Sequence, residues 1–64
     1  MNRIREMAKE KKIPIMSIVR ITKLSRSFIY EVMDGECYPE IRNAWKISKA
    51  IGSTPDEVFP DNNY

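Results

Sequence analysis

Residues 20–36 read RITKLSRSFIYEVMDGE. Ser25 is a good N-cap, because its hydroxyl oxygen can accept from the backbone N–H of Ser27 or Phe28. A helix from Arg26 to Asp34 follows, and Gly35 can take the left-handed conformation that ends it. At about 100° per residue, Ile29, Val32 and Met33 share one side and form a stripe for burial. Ser27, Tyr30, Glu31 and Asp34 fall on the opposite side, with Arg26 and Phe28 on the flanks. A helix this short is marginal alone. The rest of the chain must supply what its stripe packs against.

On the N-terminal side, Ile4, Met7, Ala8 and Lys11 follow the i, i+3, i+4, i+7 spacing of an amphipathic helix. The spacing predicts a first helix from about Asn2 to Lys11. Pro14 suits the entrance of a second. Met16, Ile18, Val19 and Ile21 are rich in β-branching, which makes a strand conceivable. No polar residue alternates with them, so a short helix ending near Thr22 is preferred. On the C-terminal side, residues 36–39 form a loop. A fourth helix turns Ile41, Ala44, Trp45, Ile47, Ser48 and Ile51 toward the core and ends at Gly52. Thr54-Pro55-Asp56-Glu57 reads as an N-cap, a proline at the first helical position and an acidic first turn. The fifth helix carries Val58 and Phe59 into the core. The tail PDNNY is polar and expected to fray. The prediction is an all-α, compact five-helix bundle over residues 1–59, with residues 60–64 as a tail.

Sixty-four residues make one small domain at most. A core of that size rarely supplies more than about 3–5 kcal/mol, so staples or partners matter. Cys37 is the single cysteine and there is no histidine. An intrachain disulfide and a zinc site are therefore excluded, which leaves helix packing and self-association. One cysteine beside four methionines fits a reducing compartment. The start MNRIREMAKEKK holds no apolar stretch like a signal peptide, and no apolar run approaches a membrane span. A cytoplasmic location is expected. Without histidine, a phosphate-cradling glycine loop or a paired-carboxylate pocket, no enzyme and no cofactor is expected. No small-molecule ligand is evident. Cys37 beside Glu36 reads as an inert thiol.

Net charge is +2, but its distribution is uneven. Residues 1–30 carry eight basic and two acidic residues, and residues 31–64 carry three basic and seven acidic ones. A basic half can meet an anionic partner. The same charges also suit an ordinary solvated helix surface.

Two stretches, ITKLSRSFI and the Asp34-Gly35 to Pro39 segment, resemble the Cro/CI-type helix-turn-helix family of phage repressors, also called the Xre family. WKISKAIGSTPDEVF is similar to that family's closing segment, and the resemblance runs without gaps from Ile4 to Phe59. It implies a lambda-repressor-like DNA-binding domain. The helix from Ile15 to Thr22 would cross the DNA backbone, and the helix from Arg26 to Asp34 would lie in the major groove. Arg26 would then pair with guanine O6 and N7, and Ser27 would hydrogen-bond flexibly. Tyr30 would meet a phosphate or a thymine methyl, and Glu31 would accept from cytosine N4. Backbone contacts would come from Ile15, through its N–H, and from Arg20, Lys23, Ser25, Arg42 and Lys46.

The chain departs from the family's pattern in several places. Ile15 stands where the family usually has a phosphate-binding glutamine. Asp34 and Glu36 stand where asparagine and lysine are preferred, and both would repel phosphate. Lys23 replaces the usual turn glycine. Ala8 and Met33 replace a commonly paired arginine and glutamate. Stranding one charge of a buried pair costs roughly 3–5 kcal/mol, whereas replacing both can be neutral. The double change therefore implies a domain that still folds.

The resemblance implies a sequence-specific, repressor-like regulator of transcription that binds double-stranded DNA as a homodimer. Trp45, Phe59 and Tyr64 are candidate aromatics for the dimer contact. The main alternative is a protein-interaction module on the same fold, using the acidic face of the third helix to bind another regulator or a phage protein. A membrane-surface role for residues 3–23 is weaker, since their apolar face is better explained as core.

Overall fold

The computed structural model describes residues 2–61. Five helices follow one another: α1 (Ile4–Glu10), α2 (Ile15–Thr22), α3 (Arg26–Met33), α4 (Ile41–Ile51) and α5 (Pro55–Val58). No strand occurs among the described residues. The β-branched run at 18–21 is helical, as its lack of alternation predicts. The helix α4 packs on α1, α2 and α5, while α3 leans on α2. Ile4, Ile18, Ile29, Val32, Ala44, Ile47 and Val58 are wholly removed from solvent and form one core. Burying each large side chain among these stabilises by about 1.5–3 kcal/mol relative to leaving it exposed.

The helix ends follow from local chemistry. Ser25 Oγ accepts from Phe28 N–H at 3.1 Å and caps α3. At the other end Gly35 adopts φ +79°, and the N–H groups of Gly35 and Glu36 donate to the carbonyls of Val32 and Glu31. Gly52 closes α4 in the same way, with φ +82° and Ser53 N–H donating to Ser48 C=O at 2.8 Å. The helix α1 uses this closure without a glycine. Lys12 takes φ +57° while Ile13 N–H donates to Ala8 C=O at 2.8 Å.

Several expectations shift. The helix α1 begins at Ile4 rather than near Asn2. Asn2 instead works as a clasp. Its Oδ1 accepts from Ile4 N–H at 3.2 Å, and its Nδ2 donates to Val32 C=O at 2.6 Å, tying the chain's start to the end of α3. Pro14 sits just before α2, at the cap. Lys11 leaves the apolar stripe and donates through Nζ to the carbonyls of Ile51 and Gly52, where the negative end of α4 attracts a cation. Ile41 and Trp45 were expected in the core, yet they are 47% and 43% exposed. Ala44, Ile47, Ser48 and Ile51 already fill the face that α1, α2 and α5 cover. Ile41 and Trp45 lie beyond its edge.

Candidate nucleic-acid interface

The turn between α2 and α3 is three residues long, Lys23-Leu24-Ser25. Thr22 braces it from inside. Its hydroxyl donates to Ile18 C=O at 2.7 Å and accepts from Leu24 N–H at 3.3 Å. Lys23 takes the left-handed φ of +61° that a tight turn needs here. For a residue with a Cβ this costs of order 1–3 kcal/mol, and the packed helices on both sides hold it there. The Lys23 side chain is exposed just before α3.

Arg26, Ser27, Tyr30 and Glu31 are all exposed on the outward face of α3, while Ile29 and Val32 anchor the opposite face. Phe28 and Met33 are half-buried and pack against the core. The outward face is therefore held by buried neighbours on the same short helix. Its N-terminal turn carries the partial positive charge of a helix start, with Phe28 N–H already taken by the Ser25 cap. Arg20, Lys23 and Arg26 surround that end in sequence, and none forms an ion pair among the described residues. Arg20 Nη2 lies 3.4 Å from Ser17 Oγ, a contact that leaves its charge uncompensated. This arrangement can receive an anion and present four polar side chains to whatever lies beside it.

The other proposed backbone contacts are placed less uniformly. Ser25 is exposed but spends its hydroxyl oxygen on the cap. Ile15 is half-buried against the core, so only its backbone N–H faces a ligand role. Arg42 and Lys46 are exposed one turn apart on α4. They form a second cationic strip, separate in sequence from the turn.

Sequence reasoning missed Arg5. Its Nη2 donates to Asp34 Oδ1 at 3.0 Å, joining α1 to the end of α3. Ala8 is buried and Met33 is half-buried against the core. An ion pair lies one step further out. Arg5 precedes Ala8 by three residues and Asp34 follows Met33, so the pair lies close in sequence to the two positions where the resemblance implied a lost ion pair. The pair compensates one of the two acids at the end of α3. Glu36 is exposed and has no such partner among the described residues. Arg5 and Asp34 also line an open groove with Asn2, Glu6, Lys9, Met33, Gly35 and Tyr38. Its charges are mixed, and it presents no preference for one ligand sign.

Phe59 was a candidate dimer aromatic, but it is 2% exposed and belongs to the core. Of the other two candidates, Trp45 is exposed and Tyr64 lies outside the described residues. No helix among the described residues is long and apolar enough to cross a membrane. Comparison of the chain with protein-family models, curated proteins and solved structures returned no match.

Proposed function

We propose that this chain is a sequence-specific double-stranded DNA-binding regulator of repressor-like type, with α2 and α3 forming a helix-turn-helix of the Cro/CI kind and α3 lying in the major groove. One observation carries the reading. A short, firmly anchored helix presents Arg26, Ser27, Tyr30 and Glu31 outward, directly after a braced turn bearing Lys23. Arginine reads guanine through two hydrogen bonds, and hydroxyl and carboxylate groups read the remaining edges. Arg20 and Lys23 supply the phosphate attraction that fixes register without reading sequence. The longest dimension of the described chain is 26 Å. Half-sites one helical turn apart are separated by about 34 Å, so one copy does not serve both and a dimer is the natural binding unit.

The second reading, a protein-interaction module, draws on Glu31 and Glu36, which are exposed and unpaired among the described residues. Amide shifts during titration with an arbitrary duplex at low salt separate the two. DNA reading predicts perturbation concentrated at residues 20–31, and weakening with salt at a log–log slope of about −0.9 per phosphate contacted. Perturbation confined to residues 31–40, or none at all, favours the interaction module.

A further inference from the structure

The two ends of α3 are held by different means. Its start is fixed by the chain itself, since only Lys23-Leu24-Ser25 separates it from α2. Ile29 and Val32 seat its middle and last turn in the core. Burial of apolar surface is non-directional, so it sets the depth of a helix more firmly than its pitch. Beyond Met33 the chain turns into the loop that leads to α4. Asn2 and Arg5 reach this far end from the N-terminal segment. Arg5 and Asp34 are both well exposed, and such a pair contributes little. Asn2 is half-buried. Its Nδ2 donates to Val32 C=O at 2.6 Å, while its Oδ1 accepts from Ile4 N–H at 3.2 Å. The amide serves both partners at once, where a carboxylate would serve Ile4 alone.

We propose that Asn2 is a positioning residue for the base-reading face. Its bond to Val32 C=O fixes the pitch of α3, and with it the base preference of the helix's far half. The inference rests on α3 lying in the major groove and adds what sets its angle there. A helix of eight residues is about 12 Å long. Pivoting about the turn by about 5° would move the backbone of Glu31, roughly 9 Å along, by about 0.8 Å, and that of Arg26 by only about 0.1 Å. Recognition contacts hold their geometry to within about 0.5 Å. Losing the tie therefore spares the contact of Arg26 and spoils those of Tyr30 and Glu31. Arg20 and Lys23 lie before the pivot, and their attraction for phosphate carries no base information. Asn2 thus acts on specificity through α3, with general attraction to DNA left intact.

The test compares Asn2→Asp and Asn2→Ala with the wild type in the whole chain. Asn2→Asp keeps the acceptor for Ile4 N–H and removes the donor to Val32 C=O, whereas Asn2→Ala removes both. Each chain selects duplexes from a random pool, and its affinity is measured for the wild type's preferred duplex and for a scrambled one. Both variants should lower the ratio of the two affinities about five- to tenfold, the effect of one lost hydrogen bond. Binding to the scrambled duplex and its salt slope should not change. The base pairs relaxed should differ from the one relaxed by Arg26→Ala. Destabilisation alone would weaken both duplexes in the same proportion. Amide exchange reads the tie without DNA. The N–H groups of Asp34, Gly35 and Glu36 donate to the carbonyls of Tyr30, Val32 and Glu31. In both variants they should exchange about fivefold faster, while the amides of α4 keep their rates. Equal weakening of both duplexes, relaxation at the Arg26 base pair alone, or unchanged exchange at residues 34–36 would each overturn the proposal. A wild type that selects no sequence removes the base reading itself, and the role of Asn2 in specificity with it. A wild type that selects a sequence while Asn2→Asp keeps the full ratio removes the role of Asn2 alone.

Discussion

Asp34 and Glu36 sit where α3 gives way to the following loop, yet they are not equivalent. Asp34 is held by Arg5 at 3.0 Å, and Glu36 has no ion-pair partner among the described residues. Replacing both, as Asp34→Asn with Glu36→Lys, should strengthen binding to all duplexes alike, because phosphate contacts carry no base information. The added lysine should steepen the salt slope by about one unit. Asp34→Asn also releases Arg5, so part of the gain should vanish when Arg5→Ala is added. Stability should change by less than about 1 kcal/mol, since the Arg5–Asp34 pair is well exposed. Titrations showing no gain, or loss of a preferred target, would place these acids against bases or a protein instead. A second residue-scale prediction concerns Ser48. Its side chain is fully buried and Oγ has no hydrogen-bond partner among the described residues. Leaving such a group unsatisfied costs about 1–3 kcal/mol. Ser48→Ala should therefore raise stability by about 1 kcal/mol, read from the urea midpoint. A fall would mean that the hydroxyl is satisfied in solution.

At the scale of elements, the short α5 is fastened by its first turn. Glu57 accepts from the hydroxyls of Ser53 at 2.7 Å and Thr54 at 3.2 Å. The Ser53 bond, followed by those from the Thr54 hydroxyl and backbone N–H, holds the Glu57 carboxyl below its ordinary value of 4.5. A carboxyl depressed in the folded state stabilises fully above its unfolded value, and that contribution is lost as pH falls through the folded one. The fastening should therefore weaken in acid below about pH 4.5, and Glu57→Gln should flatten this part of the stability–pH curve. An unchanged curve would show that the turn is held by Val58 and Phe59 packing alone. The start of α5 was legible in Thr54-Pro55-Asp56-Glu57, as was the Ser25 cap, because capping is chemistry between near neighbours, though Thr54 spends its hydroxyl on Glu57 and makes no side-chain cap bond. The number and order of the helices were legible from periodicity and punctuation, though α1 is shorter than its expected span from Asn2 to Lys11. The exposure of Ile41 and Trp45 was not, since periodicity gives a direction on the helix but not how far the covering helices reach. The Asn2 clasp and the Arg5–Asp34 pair join residues about thirty positions apart. No local pattern announces either.

For the whole molecule, five helices around one core carry a polar, partly cationic helix face on a buried anchor. Arg26 and Lys23 became candidates through the family resemblance, while the turn and the cap place them on the exposed side of the fold. What they contact is a matter of a second molecule. The central claim is that this face reads base sequence. Selection of bound duplexes from a random pool, at low salt and again at physiological salt, tests it most directly. The account predicts an enriched two-fold symmetric sequence, with preference at one base pair per half-site relaxed by Arg26→Ala at a cost of about 1–3 kcal/mol. A pool that emerges unenriched even at low salt would contradict it.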